Sequence, residues 1–149
     1  MKRIFLISLA LFGTVLFAGG PQWETDMAKA KAQAKKEGKS ILINFSGSDW
    51  CSWCIRLDQE VFNKKEFVKF AEKNLVLLNL DFPRRKQLPA EQISHNRQLQ
   101  YRYGVRGFPT VLLVDAEEKL LLSTGYRRGG AVPYVAFLKD ALPKSRQNL

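Results

Sequence analysis

Two stretches with almost no polar residue, 40–45 (SILINF) and 75–81 (LVLLNLD), constrain this chain more than any other feature. A strand so uniformly apolar has no face to offer to water. It must lie inside a sheet that is covered on both sides. The segments around them change to a helical pattern. Residues 24–37 are rich in Ala and Lys, good helix formers, and Gly38 stands where a helix should end. Residues 51–72 read as a helix interrupted near Asn63, with Leu57, Val61, Phe67, Val68 and Phe70 as its apolar positions. A polar, basic loop (83–89) leads to a helix over 90–102. Strands at 110–115 and 120–124 form a hairpin across 116–119, and a helix over 131–142 follows, with Pro133 tolerated in its first turn. The order α-β-α-β-α-β-β-α describes an α/β fold with a central mixed sheet flanked by helices on both faces.

A length of 149 residues fits one domain, and ten Phe, four Tyr and three Trp give it the means to build a core, which excludes a disordered chain. Two cysteines cannot make a multi-bridge scaffold, and no repeat period recurs. The first 18 residues stand apart. Lys2 and Arg3 precede an uncharged apolar run over 4–18, followed by Gly19-Gly20-Pro21. This is the layout of a secretory signal peptide, so residues 1–18 are read as a signal and 19–149 as the domain. The run is short for a membrane span and lacks the polar face of a packed helix. Leu16 is a poor residue near a cleavage site, so an uncleaved tether is the alternative. Beyond Arg3 the chain holds 22 Lys and Arg against 14 Asp and Glu, a charge of +8. The basic residues are scattered and the protein is read as exported, which argues against nucleic acid and for acidic partners or an anionic membrane surface. Arg84-Arg85-Lys86, the longest basic run, is read as a solvated loop.

Chemistry concentrates at Cys51-Ser52-Trp53-Cys54, the only two thiols of the chain, placed after a buried strand and at the start of a helix. Unpaired N–H groups at a helix N-terminus favour an anion, so the Cys51 thiolate is expected to form below the ordinary thiol pKa. Cys54, one turn on, can attack a mixed disulfide on Cys51 and release the product. This exchange needs no cofactor. Three other readings compete. A structural bridge over so short a loop removes little unfolded-state entropy. Zinc would need two ligands beyond the pair, and the chain holds one His and no other Cys, so no metal is assigned. Covalent haem attachment wants His at position 55, where Ile stands.

Ile41-Leu42-Ile43-Asn44-Phe45 followed by Asp49-Trp50-Cys51-Ser52-Trp53-Cys54 resembles the strand and active-site turn of the thioredoxin superfamily. Tyr103 to Thr110 (YGVRGFPT) resembles that family's cis-proline segment, and Asn79-Leu80-Asp81 and the terminal hairpin and helix match in order. The Ser46-Gly47-Ser48-Asp49-Trp50-Cys51 turn and the leader are most similar to exported thioredoxin-like proteins of the DsbH kind. The resemblance implies a periplasmic thiol–disulfide oxidoreductase in which Cys51 and Cys54 are catalytic and form a redox-active disulfide. It implies a cis Phe108–Pro109 bond with Pro109 against that disulfide, the Phe108 backbone open to a substrate strand, and Trp50 beside the site. Trp53, between the thiols, is read as an exposed apolar contact for substrate. The implied partners are exported proteins or peptides with disulfides and a membrane electron donor of the DsbD type. No length is left over for a dimerisation module, so a monomer is expected.

Three departures bear on mechanism. Asn44 stands where thioredoxin has a buried Asp, so water or a carboxylate elsewhere must take the proton of Cys54. Residues 83–97 look like an insertion, and His95 within it is assigned nothing. Ser52-Trp53 offers one hydroxyl and no positive charge to a Cys51 thiolate, which favours a reductase, whereas Arg56 and Arg106 could push the other way. A disulfide oxidase, an isomerase and a non-catalytic binding module of the same fold stay open.

Overall fold

A computed structural model describes residues 20–143. The segment 1–18, read as a signal, lies outside the described residues, as does the end of the chain past 143. The elements run β1 (Trp23–Glu24), α1 (Met27–Glu37), β2 (Ser40–Ser46), α2 (Ser52–Leu57), a π-helical turn (Asp58–Phe62), α3 (Lys65–Asn74), β3 (Leu75–Asp81), α4 (Ala90–Arg102), β4 (Thr110–Val114), β5 (Leu120–Thr124) and α5 (Ala131–Ala141). One five-stranded sheet has the order β1-β3-β2-β4-β5. β1 and β2 pair parallel to β3, while β4 lies antiparallel to both β2 and β5.

Alternation along the strands distributes the core between two layers. Leu42, Leu77, Val111 and Leu113 pack with Leu57, Phe62, Phe67, Tyr134 and Leu138, so α2, α3 and α5 cover one face. Ile41, Ile43, Phe45, Val76, Leu78 and Leu80 pack with Met27, Ala30, Ala34 and Leu99, so α1 and α4 cover the other. All seven residues of β2 are buried, as its composition requires.

The sequence reading needs correction at two places. The first helix starts at Met27, not at residue 24, because Asp26 takes an extended backbone and its carboxylate accepts the Lys29 N–H (2.8 Å). That leaves Trp23 and Glu24 to add a two-residue edge strand beside Leu77 and Leu78. The helix expected over 51–72 breaks near Asn63 as expected, and before that break it also changes to a π turn. α2 widens into the π turn, where the Asn63 N–H reaches the Asp58 carbonyl (2.9 Å), and the extended backbone of Lys64 precedes α3. The short β1 leaves β3 partly bare on its outer side. There the buried side chain of Asn96 donates its amide to the Asp81 carbonyl (2.8 Å).

Candidate active site

β2 and β3 end together, with Ser46 opposite Asp81, and the turn 47–51 carries the chain from β2 into α2. Several bonds fix this turn. The Cys51 N–H donates to the Gly47 carbonyl (2.9 Å), and Asp81 accepts both the N–H (2.9 Å) and the hydroxyl (2.6 Å) of Ser48. Gly47 admits the Trp50 ring against its Cα, where an added Cβ would stand 2.5 Å from the indole.

Cys51 is the N-cap of α2 and is joined to Cys54 in a disulfide, with 5.2 Å between the Cα atoms. The Cys54 N–H points at Cys51 Sγ (3.3 Å), and the Gly47 N–H at Cys54 Sγ (3.5 Å). Both cysteines are buried, Cys51 at 7% exposure slightly less than Cys54 at 1%.

The Phe108–Pro109 peptide bond is cis. Phe108 meets Trp50 edge-on (6.0 Å between centroids) and stacks on Phe82 (4.9 Å). Trp50 is further held by its indole N–H donating to the Phe82 carbonyl (2.8 Å). Trp53, 46% exposed, packs instead on Tyr126 (5.1 Å), with the Arg56 guanidinium 5.6 Å from its ring. The candidate residues thus fall into two groups: Trp50 with Phe108, which precedes the cis Pro109, and Trp53 with Tyr126.

Beneath α2, Asn44 is buried and donates to Asn79 Oδ1 (3.0 Å), while its own Oδ1 has no hydrogen-bond partner among the described residues. A titratable group does lie on this side. Asp58 follows Cys54 by four residues, and burial together with the negative charge of Asp81 pushes its carboxyl up to about 6. The sequence reading left room for a carboxylate elsewhere without naming it. The i, i+4 spacing from Cys54 was the available signal. It also missed Asp49. This carboxylate accepts the backbone N–H groups of Arg84, Arg85 and Lys86 (2.9, 2.7 and 2.9 Å), and these bonds bring its pKa down to about 2. The inserted loop is thereby fastened to the disulfide turn. His95 accepts the Met27 N–H (3.3 Å).

A sheet of this order, a Cys-x-x-Cys pair heading a helix and a cis-proline turn beside it define a class of protein. The family model described as thioredoxin-like matches residues 22–116, and the chain belongs to that family. It is 39% identical to the disulfide bond reductase DsbH of Chlamydia pneumoniae over 125 residues, covering 84% of this chain and 75% of that one. The structure of a DsbH oxidoreductase superposes with a TM-score of 0.80 at 35% identity, covering 95% of this chain and 94% of the other. The oxidised C-terminal domain of DsbD from Neisseria meningitidis shares the fold, with a TM-score of 0.58 at 16% identity over 77% of this chain and 91% of that one. With its paired cysteines on this scaffold, the chain is a DsbH-like thiol–disulfide oxidoreductase.

Proposed function

We propose that the protein is a disulfide reductase working outside the cytoplasm, with residues 1–18 directing export and the domain from residue 19 doing the chemistry. In this reading Cys51 attacks and Cys54 resolves. The observation that carries it is the asymmetry of the pair: Cys51 is the less buried residue and caps the helix, and its sulfur receives the first-turn N–H of Cys54 at 3.3 Å, against 3.5 Å from the Gly47 N–H to Cys54 Sγ. A thiolate there gains a donor, and a thiolate at Cys54 must form in the interior.

The cycle balances as follows. The Cys51 thiolate attacks one sulfur of a substrate disulfide, forming a mixed disulfide and expelling a substrate thiolate. Cys54, giving up its proton, attacks Cys51 Sγ and expels the second substrate thiolate, which leaves the protein disulfide. Two electrons from a dithiol donor, for which a membrane protein of the DsbD type is the expected source, restore the pair. Asp58, one turn past Cys54, is the carboxyl we assign to receive that proton. Its raised pKa suits a group that gains and loses a proton near neutrality. Trp50, Phe108 and Pro109 present one wall to a bound chain, and Trp53 presents the other. No positive charge stands between the cysteines to stabilise the reduced form strongly, and Arg56 is engaged by Glu60 (2.6 Å), which supports the reducing direction.

Equilibration with glutathione tests the direction. A potential on the thioredoxin side of roughly −200 mV is expected, and one near the −120 mV of a strong oxidant would overturn it. Trapping tests the assignment: Cys54→Ala should accumulate mixed disulfides with substrates and Cys51→Ala should accumulate none. Equal trapping by both would sink it.

A further inference from the structure

Charge is distributed unevenly along this molecule. At the end of the sheet remote from the disulfide, four basic side chains are paired with carboxylates. Lys31 and Arg102 pair with Glu118, Lys35 with Glu117 and Lys39 with Glu37. At the disulfide end, the ion pair among the described residues is Arg56 with Glu60. Arg84, Arg85, Lys86 and Arg106 are all exposed there. Asp49, which holds this loop, spends its oxygens on backbone N–H groups; its charge acts on Arg85 without a direct ion pair to any guanidinium of the loop.

The loop is also fixed in place. Three N–H bonds tie it to Asp49, and the Phe82 carbonyl receives the Trp50 indole N–H. The Arg84 guanidinium lies 3.8 Å from the centroid of the Trp50 ring, whose edge meets Phe108. A cation held on the tryptophan adjacent to Cys51 faces whatever polypeptide crosses the disulfide.

We propose that the loop 83–86 selects disulfide substrates by charge, binding carboxylate side chains that flank the substrate cysteine, with Arg84 as the first contact and Arg85 and Lys86 extending the field. The inference rests on the reductase reading and adds a substrate class to it: acidic polypeptide segments. A rim of fixed cations raises the encounter rate with such segments and repels basic ones, and the effect weakens as salt screens it.

The test uses one cystine-linked peptide in two forms, flanked by Glu or by Lys, beside the neutral disulfide of 2-mercaptoethanol. The wild type should reduce the Glu form with kcat/KM about tenfold above the Lys form at low salt, the ratio shrinking towards one at 0.5 M NaCl, as expected of a few exposed charge pairs. Arg84→Gln combined with Arg85→Gln and Lys86→Gln leaves the N–H groups that hold Asp49. It should abolish the ratio with no change on the neutral disulfide, and replacing all three with Glu should reverse the preference. Fluorescence anisotropy of a labelled, cysteine-free Glu peptide reads the same preference without catalysis. Failure to reduce even the neutral disulfide would count against the reductase reading alone. Equal rates and equal binding for the two peptides would overturn the charge selection. So would a triple variant that slowed all three substrates together, or one that lost only binding to phosphatidylglycerol vesicles.

Discussion

Replacing Asp58 with Asn should stabilise this protein at neutral pH and leave its stability unchanged in acid. The carboxyl is partly buried on the underside of α2, near the charge of Asp81, and holds its proton to about pH 6 instead of the ordinary 3.8. Between those two values the folded chain binds more protons at this site than the unfolded chain does. Stability therefore falls as pH rises from about 4 to about 6, and the full penalty is present above that. The ceiling is (6 − 3.8) × 1.36, or about 3 kcal/mol. Water still reaches the carboxyl, and screening brings the expected penalty to about 1–2 kcal/mol. An amide of the same shape carries none of it. Urea unfolding of the oxidised protein and of Asp58→Asn should differ by that amount at pH 7, and should coincide near pH 2.5, more than a unit below the ordinary 3.8, where the acid is protonated in both states. A difference independent of pH, or a variant less stable at pH 7, would refute the placement of a strained charge there. The same variant should lose the inflection near pH 6 in the rate at which mixed disulfides are released. That second readout distinguishes a proton acceptor from a merely uncomfortable carboxylate.

Two further perturbations probe the turn around the disulfide. Gly47→Ala would set a methyl 2.5 Å from the Trp50 indole, so the ring must move. The expected cost is about 1–3 kcal/mol, with a changed near-UV circular dichroism signal, and an unaltered signal would show that the contact can relax elsewhere. Asp49→Ala should release the inserted loop, seen as faster hydrogen exchange at the amides of 84–86 with protection in β2 and β3 intact; unchanged exchange would mean that the loop is held by other bonds.

The sheet was readable from the sequence because its signal is local. SILINF and LVLLNLD can exist only between two layers, and β2 to β5 with α4 and α5 lie within a residue of where their composition puts them. Cys51 and Cys54 were readable because the chain has no other thiols. The misread parts are those decided by contacts distant in sequence. Trp23–Glu24 is a strand only because β3 offers an open edge at Leu77 and Leu78. Asp58 looks like an ordinary surface acid in a helix until Asp81, 23 positions later, is brought beneath it. Asp49 reads as a turn residue, and nothing nearby in the chain foretells that its partners are the amides of 84–86. Trp50 and Trp53 are equal candidates by sequence, but the folded chain sends one to Phe108 and the other to Tyr126.

The two-residue strand β1 also bears on how the protein behaves in a crowd. A parallel sheet of apolar strands that ends on a bare edge invites the same segment of another molecule to pair with it and start an aggregate. LVLLNLD is such a segment, free of proline and with a single charge at its end. Its outer side is closed by the pairing of Trp23 and Glu24 with Leu77 and Leu78, and by the Asn96 amide that occupies the Asp81 carbonyl further along. Neither group could hold a sheet together. Between them they interrupt the row of backbone groups along which a second chain would have to register, so a few polar contacts at one margin shield an otherwise adhesive core.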